Sequence, residues 1–257
     1  MMNQPEKERM VRQYDLEKWA EQTDVGKYIL IWKFFMGGNE ITGWDLVKAV
    51  VHDNDDRRSV IYMWRKGDSD AEELIRIDIE ECISWRKSHE ALLKHLVERQ
   101  APQLPEATSR KIEIGDIAFI GFGKNVQSAM FARANMVVRI HSVGKQDVSI
   151  IDTARKVDEL FVSKPRLSEK GVIPEIEAFV SERGVIKRDE IIALDIKAKD
   201  PLDRPLWYRF EVDQGELSIK DEKVYFSSKA PGQPEISLFA VNENCFVARA
   251  ILRIKVE

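Results

Sequence analysis

Residues Gly115–Phe161 read GDIAFIGFGKNVQSAMFARANMVVRIHSVGKQDVSIIDTARKVDELF, the most regular stretch of the chain. From Met130 to His141 apolar and mixed residues alternate: Met130, Ala132, Ala134, Met136, Val138 and Ile140 on one side, Phe131, Arg133, Asn135, Val137, Arg139 and His141 on the other. Period two is the signature of a strand with one face in a core. The reading is a strand over 115–122, a turn at Gly123-Lys124-Asn125, a long strand over 129–141 and then a helix. Ser149 and Asp152 fit a capping box for that helix, and Ile150, Ile151, Ala154, Val157, Leu160 and Phe161 form its apolar stripe.

Upstream, Leu16, Trp19 and Ala20 suggest a short helix over 14–22, and the aromatic, β-branched run Tyr28–Met36 reads as a buried strand ended by Gly37-Gly38-Asn39. Further strands are expected over 41–51, 60–65 and 74–82, the last alternating Ile75, Ile77 and Ile79 with Arg76, Asp78 and Glu80. Ser84 can cap a helix to about Glu98 with Trp85, His89, Leu92 and Leu96 at helical spacing. The segments 60–98 and 117–161 thus share an order of strand, turn, strand and amphipathic helix. This predicts an α+β domain over 11–163, an antiparallel sheet with both helices packed on one face and a ββα unit used twice.

Beyond Ser163–Pro174, which holds two prolines and a glycine, helical periodicity stops. Short alternating segments follow at 175–180, 190–199, 206–212, 216–220, 223–227, 235–241 and 245–256, which predicts an all-β sandwich over 174–257. The run Ile196–Val256 resembles the bacterial immunoglobulin-like modules of the PKD and cadherin-like type. The resemblance rests on Ala198, Asp200-Pro201, Asp203, Pro205-Leu206, Tyr208, Gly215 and the closing strand Ala250–Val256. It covers the last third of the chain and implies an immunoglobulin-like sandwich. Such modules serve as spacers or adhesive units on exported proteins, so it also implies a periplasmic or cell-surface address, with the signal peptide preceding the sequence given. Calcium is not carried over, because Pro205 stands where the cadherin motif after Leu202-Asp203-Arg204 has its glutamate.

The totals narrow the classes of function. A net charge of -4 gives no pull toward nucleic acid, and the longest apolar run, Tyr28–Met36, contains Lys33 and is half the ~20 residues of a membrane span. Cys82 and Cys245 fall on opposite sides of the domain boundary and read as two buried thiols. The loop Gly121–Asn125 fails the Walker pattern, having Ala118 and Asn125 where glycine and Ser/Thr are required, and fails the dinucleotide pattern at Val126. His52, His89, His95 and His141 show no i, i+4 ligand pair. No catalytic residue, metal or cofactor is therefore assigned.

The remaining candidate is the polar side of the predicted long strand: Phe131, Arg133, Asn135, Arg139 and His141 as a ligand row, two guanidiniums flanking an amide and suited to carboxylate, sulfate or sugar hydroxyls. Against it stands ordinary cross-strand pairing with Asp78 and Glu80. The expected function is a non-catalytic binding or accessory protein of the bacterial cell envelope, with a glycan or another protein as partner. The alternatives are a polymer-acting hydrolase, its site in the first domain or at the domain junction, and an architectural subunit that meets a partner through Trp32 or Trp64.

Overall fold

The computed structural model describes residues 28–53, 58–67, 73–98, 104–163 and 171–257. Of these, residues 29–163 belong to one compact unit and residues 171–257, with Tyr28, to another. The predicted helix over 14–22 lies outside the described residues.

The first unit is built on six strands: β1 (Asp45–Asp53), β2 (Arg58–Arg65), β3 (Leu74–Glu81), β4 (Ile117–Ile120), β5 (Ser128–Arg133) and β6 (Met136–Ser142). All neighbours are antiparallel, in the order β1-β2-β3-β6-β5-β4. Among the described residues two α-helices accompany them, α1 (Trp85–Glu98) and α2 (Ile151–Ser163). The Ser84 hydroxyl accepts the Lys87 amide at 3.2 Å, the N-cap bond that its position predicts.

Three expectations fail here. The segment 129–141 is a hairpin, not one strand: β5 ends at Arg133, Ala134 and Asn135 turn, and Arg133 pairs with Met136. A two-residue turn makes positions 133 and 136 share a face, so the parity of every later residue is reversed relative to a continuous strand. Second, the helices lie on opposite faces. Ala129, Phe131, Val138 and Ile140 share a core with Ala154, Val157 and Phe161 of α2, whereas Ile117, Phe119, Met130, Ala132 and Val137 share another with Leu92, Leu93 and Leu96 of α1. The strands β4 and β5 are therefore apolar on both sides, which is why IAFI and AMFA are unbroken hydrophobic runs. The order β2-β3-α1 does recur as β5-β6-α2, but a rotation that exchanges antiparallel neighbours keeps each face, so the two halves are not copies in space.

Third, Tyr28–Met36 is not a strand. It holds one 3₁₀ turn, Ile31–Phe34, and a train of long-range bonds from buried side chains. Asn135 Oδ1 accepts the Ile29 amide (2.7 Å), Glu81 Oε2 that of Ile31 (2.8 Å), and the Tyr62 hydroxyl that of Met36 (3.0 Å). These acceptors answer amides that a sheet partner would otherwise satisfy. They let Ile29, Ile31, Phe34 and Met36 close the α2-side core. The following Gly37-Gly38-Asn39 is a turn, its three amides donating to the Glu40 carboxylate. At the far side of the sheet, β1 carries a bulge between Leu46 and Lys48.

The second unit comprises β7 (Glu175–Ser181), β8 (Val185–Ile186), β9 (Ile192–Lys199), β10 (Leu206–Val212), β11 (Glu216–Lys220), β12 (Lys223–Ser227), β13 (Glu235–Asn242), β14 (Val247–Arg253) and β15 (Lys255–Val256). Each of the seven predicted segments carries a strand. They form an antiparallel sheet β11-β12-β9-β7, a second one β10-β13-β14, and a short parallel pair β8-β15. Lettered along the chain from β7 as A, with β8 as A′, the sheets are ABED and CFG, an order compatible with an immunoglobulin-like sandwich. Phe179, Ile192, Leu194, Val224 and Phe226 from one sheet meet Phe210, Ile236, Leu238 and Leu252 from the other in a common core.

Candidate functional site

The five residues of the predicted row are dispersed by the hairpin. Phe131 is fully buried in the α2-side core. Asn135 is 1% exposed and works as a staple, its Nδ2 donating to the carbonyls of Ile29 (3.0 Å) and Cys82 (3.1 Å). Arg133 points to the α2 side, where Nε and Nη2 fork onto both oxygens of Asp158 (2.8 and 2.7 Å) and Nη1 reaches Asp116 Oδ1 (2.7 Å). Burial disfavours the Arg133 charge, yet the bonds and charge of Asp158, then of Asp116, outweigh it and raise its pKa. Only Arg139 and His141 remain together, on the opposite, α1-bearing face.

The lock around Arg133 is structural. Asp116 also accepts the Ala134 amide at 2.6 Å, Asp158 the Gly115 amide at 2.9 Å, and Ser88 of α1 donates to the Ala134 carbonyl at 2.7 Å. Asp116 and Asp158 are carboxylates that the fold draws to one point. Both are spent on Arg133 and backbone amides rather than turned toward a substrate, so this pair lends the hydrolase alternative nothing.

On the other face a charged band crosses β3 and β6. Register places Asp78 opposite Arg139 and Arg76 opposite His141. Arg76 donates from Nε to Asp78 Oδ1 (2.9 Å), and Arg139 Nη2 stands 3.7 Å from Asp78 Oδ2. The expected cross-strand pairing with Asp78 is thus present. Pattern reading missed His95 of α1, whose Nδ1 is 3.4 Å from Arg139 Nη1 and whose Nε2 is 3.5 Å from Glu80 Oε2, contacts too long to be strong hydrogen bonds. Its signal was present in the helix, since His95 follows Leu92 by three places and so borders the stripe that packs on the sheet. The Asp78 side chain is 9% exposed and that of Arg76 43%, so Asp78 anchors the band while the Arg76 guanidinium offers donors to solvent. A partly exposed guanidinium held by a buried carboxylate is a preset fork for carboxylate, sulfate or sugar hydroxyls.

In the second unit the residues that carry the resemblance do structural work. The Asp200 carboxylate is bound by Arg204 Nε (2.8 Å) and Nη2 (2.9 Å), by the Leu202 amide (2.9 Å) and by Asn242 Nδ2 (2.8 Å). Chiefly through Arg204, and against the penalty of burial, its pKa is pushed down to about 2. Arg204 and Asn242 also donate to the Val172 carbonyl, at 3.0 Å each, so the Asp-Pro turn ties three segments together. Gly215, at φ +105°, lies where a Cβ would stand 2.6 Å from the Ser227 carbonyl oxygen, a close approach that only glycine permits.

Neither cysteine forms a disulfide and both are buried, and burial pushes the Cys82 thiol pKa up, the mark of an unreactive sulfur. Trp64 is buried completely and cannot meet a partner, whereas Trp32 is exposed. Among the described residues no helix is long and apolar enough to cross a membrane.

No family model matches the chain, and no curated protein matches it. Among solved structures, a chain described as tandem Ig repeats of Dlar matches 78% of this chain and 89% of its own length, at 9% identity and a TM-score of 0.26. A likeness at that score carries no argument about function.

Proposed function

We propose that this chain is a non-catalytic binding or accessory protein of the bacterial cell envelope, whose ligand surface is the band formed by Arg76, Asp78, Arg139 and His141. The observation that carries the reading is the exposed Arg76 guanidinium held on Asp78, with Arg139 across the strand. The second unit is read as an immunoglobulin-like module of the PKD/cadherin-like type that spaces or displays the first. Support for that type comes from the motif residues, since Asp200 and Gly215 hold positions where the fold has a specific use for them; the periplasmic or surface address rests on the resemblance alone.

An anionic glycan fits the band best, because its sulfates or carboxylates match the forks and its hydroxyls match His141 and Glu80. The test is calorimetry of the full chain with sulfated and uronic-acid oligosaccharides. The wild type is expected to bind, weakening with salt as screening predicts. An Arg76→Ala/Arg139→Ala variant is expected to lose about tenfold or more in affinity, and Arg155→Ala, on the exposed side of α2, to lose none. Equal binding by the double variant would remove this surface from consideration.

A further inference from the structure

We infer that a proton on His95 of α1 switches the charged band, so that it holds an anionic ligand more tightly in acid; the inference rests on the proposed reading of the band as a ligand surface. The His95 side chain is 15% exposed and reaches three charged partners. Its Nδ1 stands 3.4 Å from Arg139 Nη1 and 3.8 Å from Glu98 Oε2, and its Nε2 stands 3.5 Å from Glu80 Oε2. On this side of the sheet β3 supplies Glu80, Asp78 and, further along, Arg76, while β6 supplies Arg139 and His141. The residues that β4 and β5 turn toward α1, Ile117, Phe119, Met130 and Ala132, carry no charge. On α1 itself Lys94 shares Glu98, at 3.9 Å.

A guanidinium keeps its charge at any ordinary pH and can only donate. Nδ1 therefore meets Arg139 as an acceptor, which makes the neutral ring the Nε2–H tautomer with its proton on the Glu80 side. Among the described residues the buried Nε2 completes no hydrogen bond, so the neutral ring is held loosely. A second proton goes onto Nδ1 and reverses the first contact. Two cations then face each other at 3.4 Å, and the new Nδ1–H has Glu98 Oε2 as its acceptor. Glu80 and Glu98 each gain a charge-assisted partner, and Arg139 loses one. Asp78, 3.7 Å away, and solvent are what remain to the Arg139 guanidinium, whose side chain is 25% exposed. Its donors come free beside Arg76 as the neighbourhood gains a positive charge, and both changes favour an anion. Linkage is reciprocal, so a bound anion must draw the proton onto His95.

The experiment is calorimetry of the full chain with sucrose octasulfate, whose sulfates stay ionised throughout, at about pH 8 and about pH 5, the interval in which an imidazole gains its proton. The wild type is expected to bind about tenfold more tightly at the lower pH. Repeating the titration midway, in two buffers of different ionisation heat, should show uptake of about half a proton per ligand bound. His95→Gln is expected to lose most of the pH difference. His141→Gln is expected to keep it, whatever happens to its affinity, which assigns the proton to the helix and not to the strand. Melting curves of both variants are recorded in parallel, and if His95→Gln does not fold, the proton uptake of the wild type and of His141→Gln decides. Equal wild-type affinity at the two pH values, tighter binding at the higher one, no proton uptake, or a pH difference that survives in His95→Gln overturns the inference and leaves the band standing as a ligand surface. No binding at either pH removes the ligand surface, and the switch with it.

Discussion

Two antiparallel hairpins in this protein are each closed by two residues, Ala134-Asn135 between β5 and β6 and Asp221-Glu222 between β11 and β12. In the second, both turn residues have positive φ, +49° and +61°, and the flanking Lys220 and Lys223 pair across the strands. Polar residues between alternating strands announce that turn locally. In the first, an alanine sits at φ +50°, and nothing in the sequence nearby asks for a reversal. What holds it comes from far along the chain: Asp116 on the Ala134 amide, Ser88 on its carbonyl, Asn135 stapled to Ile29 and Cys82, and Arg133 clamped by Asp116 and Asp158. One turn is specified by its own residues and the other by its surroundings.

If that is right, damage to the surroundings should be severe at the first hairpin. Arg133→Ala leaves Asp116 and Asp158 facing each other without their cation, and the expected loss is about 3–5 kcal/mol in urea denaturation of the full chain. Asn135→Ala strips partners from the Ile29 amide and from two buried carbonyls, which should cost about 3 kcal/mol. Amide exchange at Ile29 should accelerate in step, whereas exchange in β11–β12 should not change.

The sandwich has a distant lock too, at Asp200, and it can be titrated. The folded pKa of Asp200, about 2, lies below its ordinary value of 3.8, so its contribution is fully present above that value and drains away as pH falls toward and through the folded pKa. Urea midpoints of the sandwich are expected to fall across this window, and Asp200→Asn, lower throughout, should show a flatter pH dependence there. The smallest effects concern the turns themselves. Ala134→Gly should stabilise by about 1 kcal/mol through relief of the left-handed backbone, and Glu222→Gly by a similar or smaller amount. A destabilising Ala134→Gly would show that the methyl group contributes packing that outweighs the backbone strain.

The same contrast explains what could be read from the chain. The sandwich strands were legible because alternation, turn residues and hairpin pairing are all local, and even Asp200 and Gly215 stand at positions with a visible motif. In the first unit β2, β3, β6, α1 and α2 were legible from Val60, Ile77, Val138, Leu92 and Val157 and their periodic neighbours. The reversal at Ala134 was not, because alternation persists straight through it: Ala134 and Asn135 continue the period as well as strand residues would. That one slip carried the candidate row with it, joining Arg133 to Arg139 although they point to opposite faces. The helices were misplaced for a related reason. Strands that are apolar on both sides, such as Ile117–Ile120, do not declare which side a helix will take. The segment Tyr28–Met36 read as a strand because its apolar content is that of one, whereas its amide partners are single side chains scattered between Tyr62 and Asn135.

The bulge in β1 has a consequence for how the molecule behaves in a crowd. A sheet with a straight, regular outermost strand is a template on which another chain can crystallise its own strand, and repeated addition of that kind ends in fibres. The extra residue between Leu46 and Lys48 throws the spacing of that border out of step, and the lysine plants a charge where an incoming strand would have to lie. Deleting Val47 and replacing Lys48 by valine would straighten and discharge the border, which is where a tendency to polymerise should first emerge.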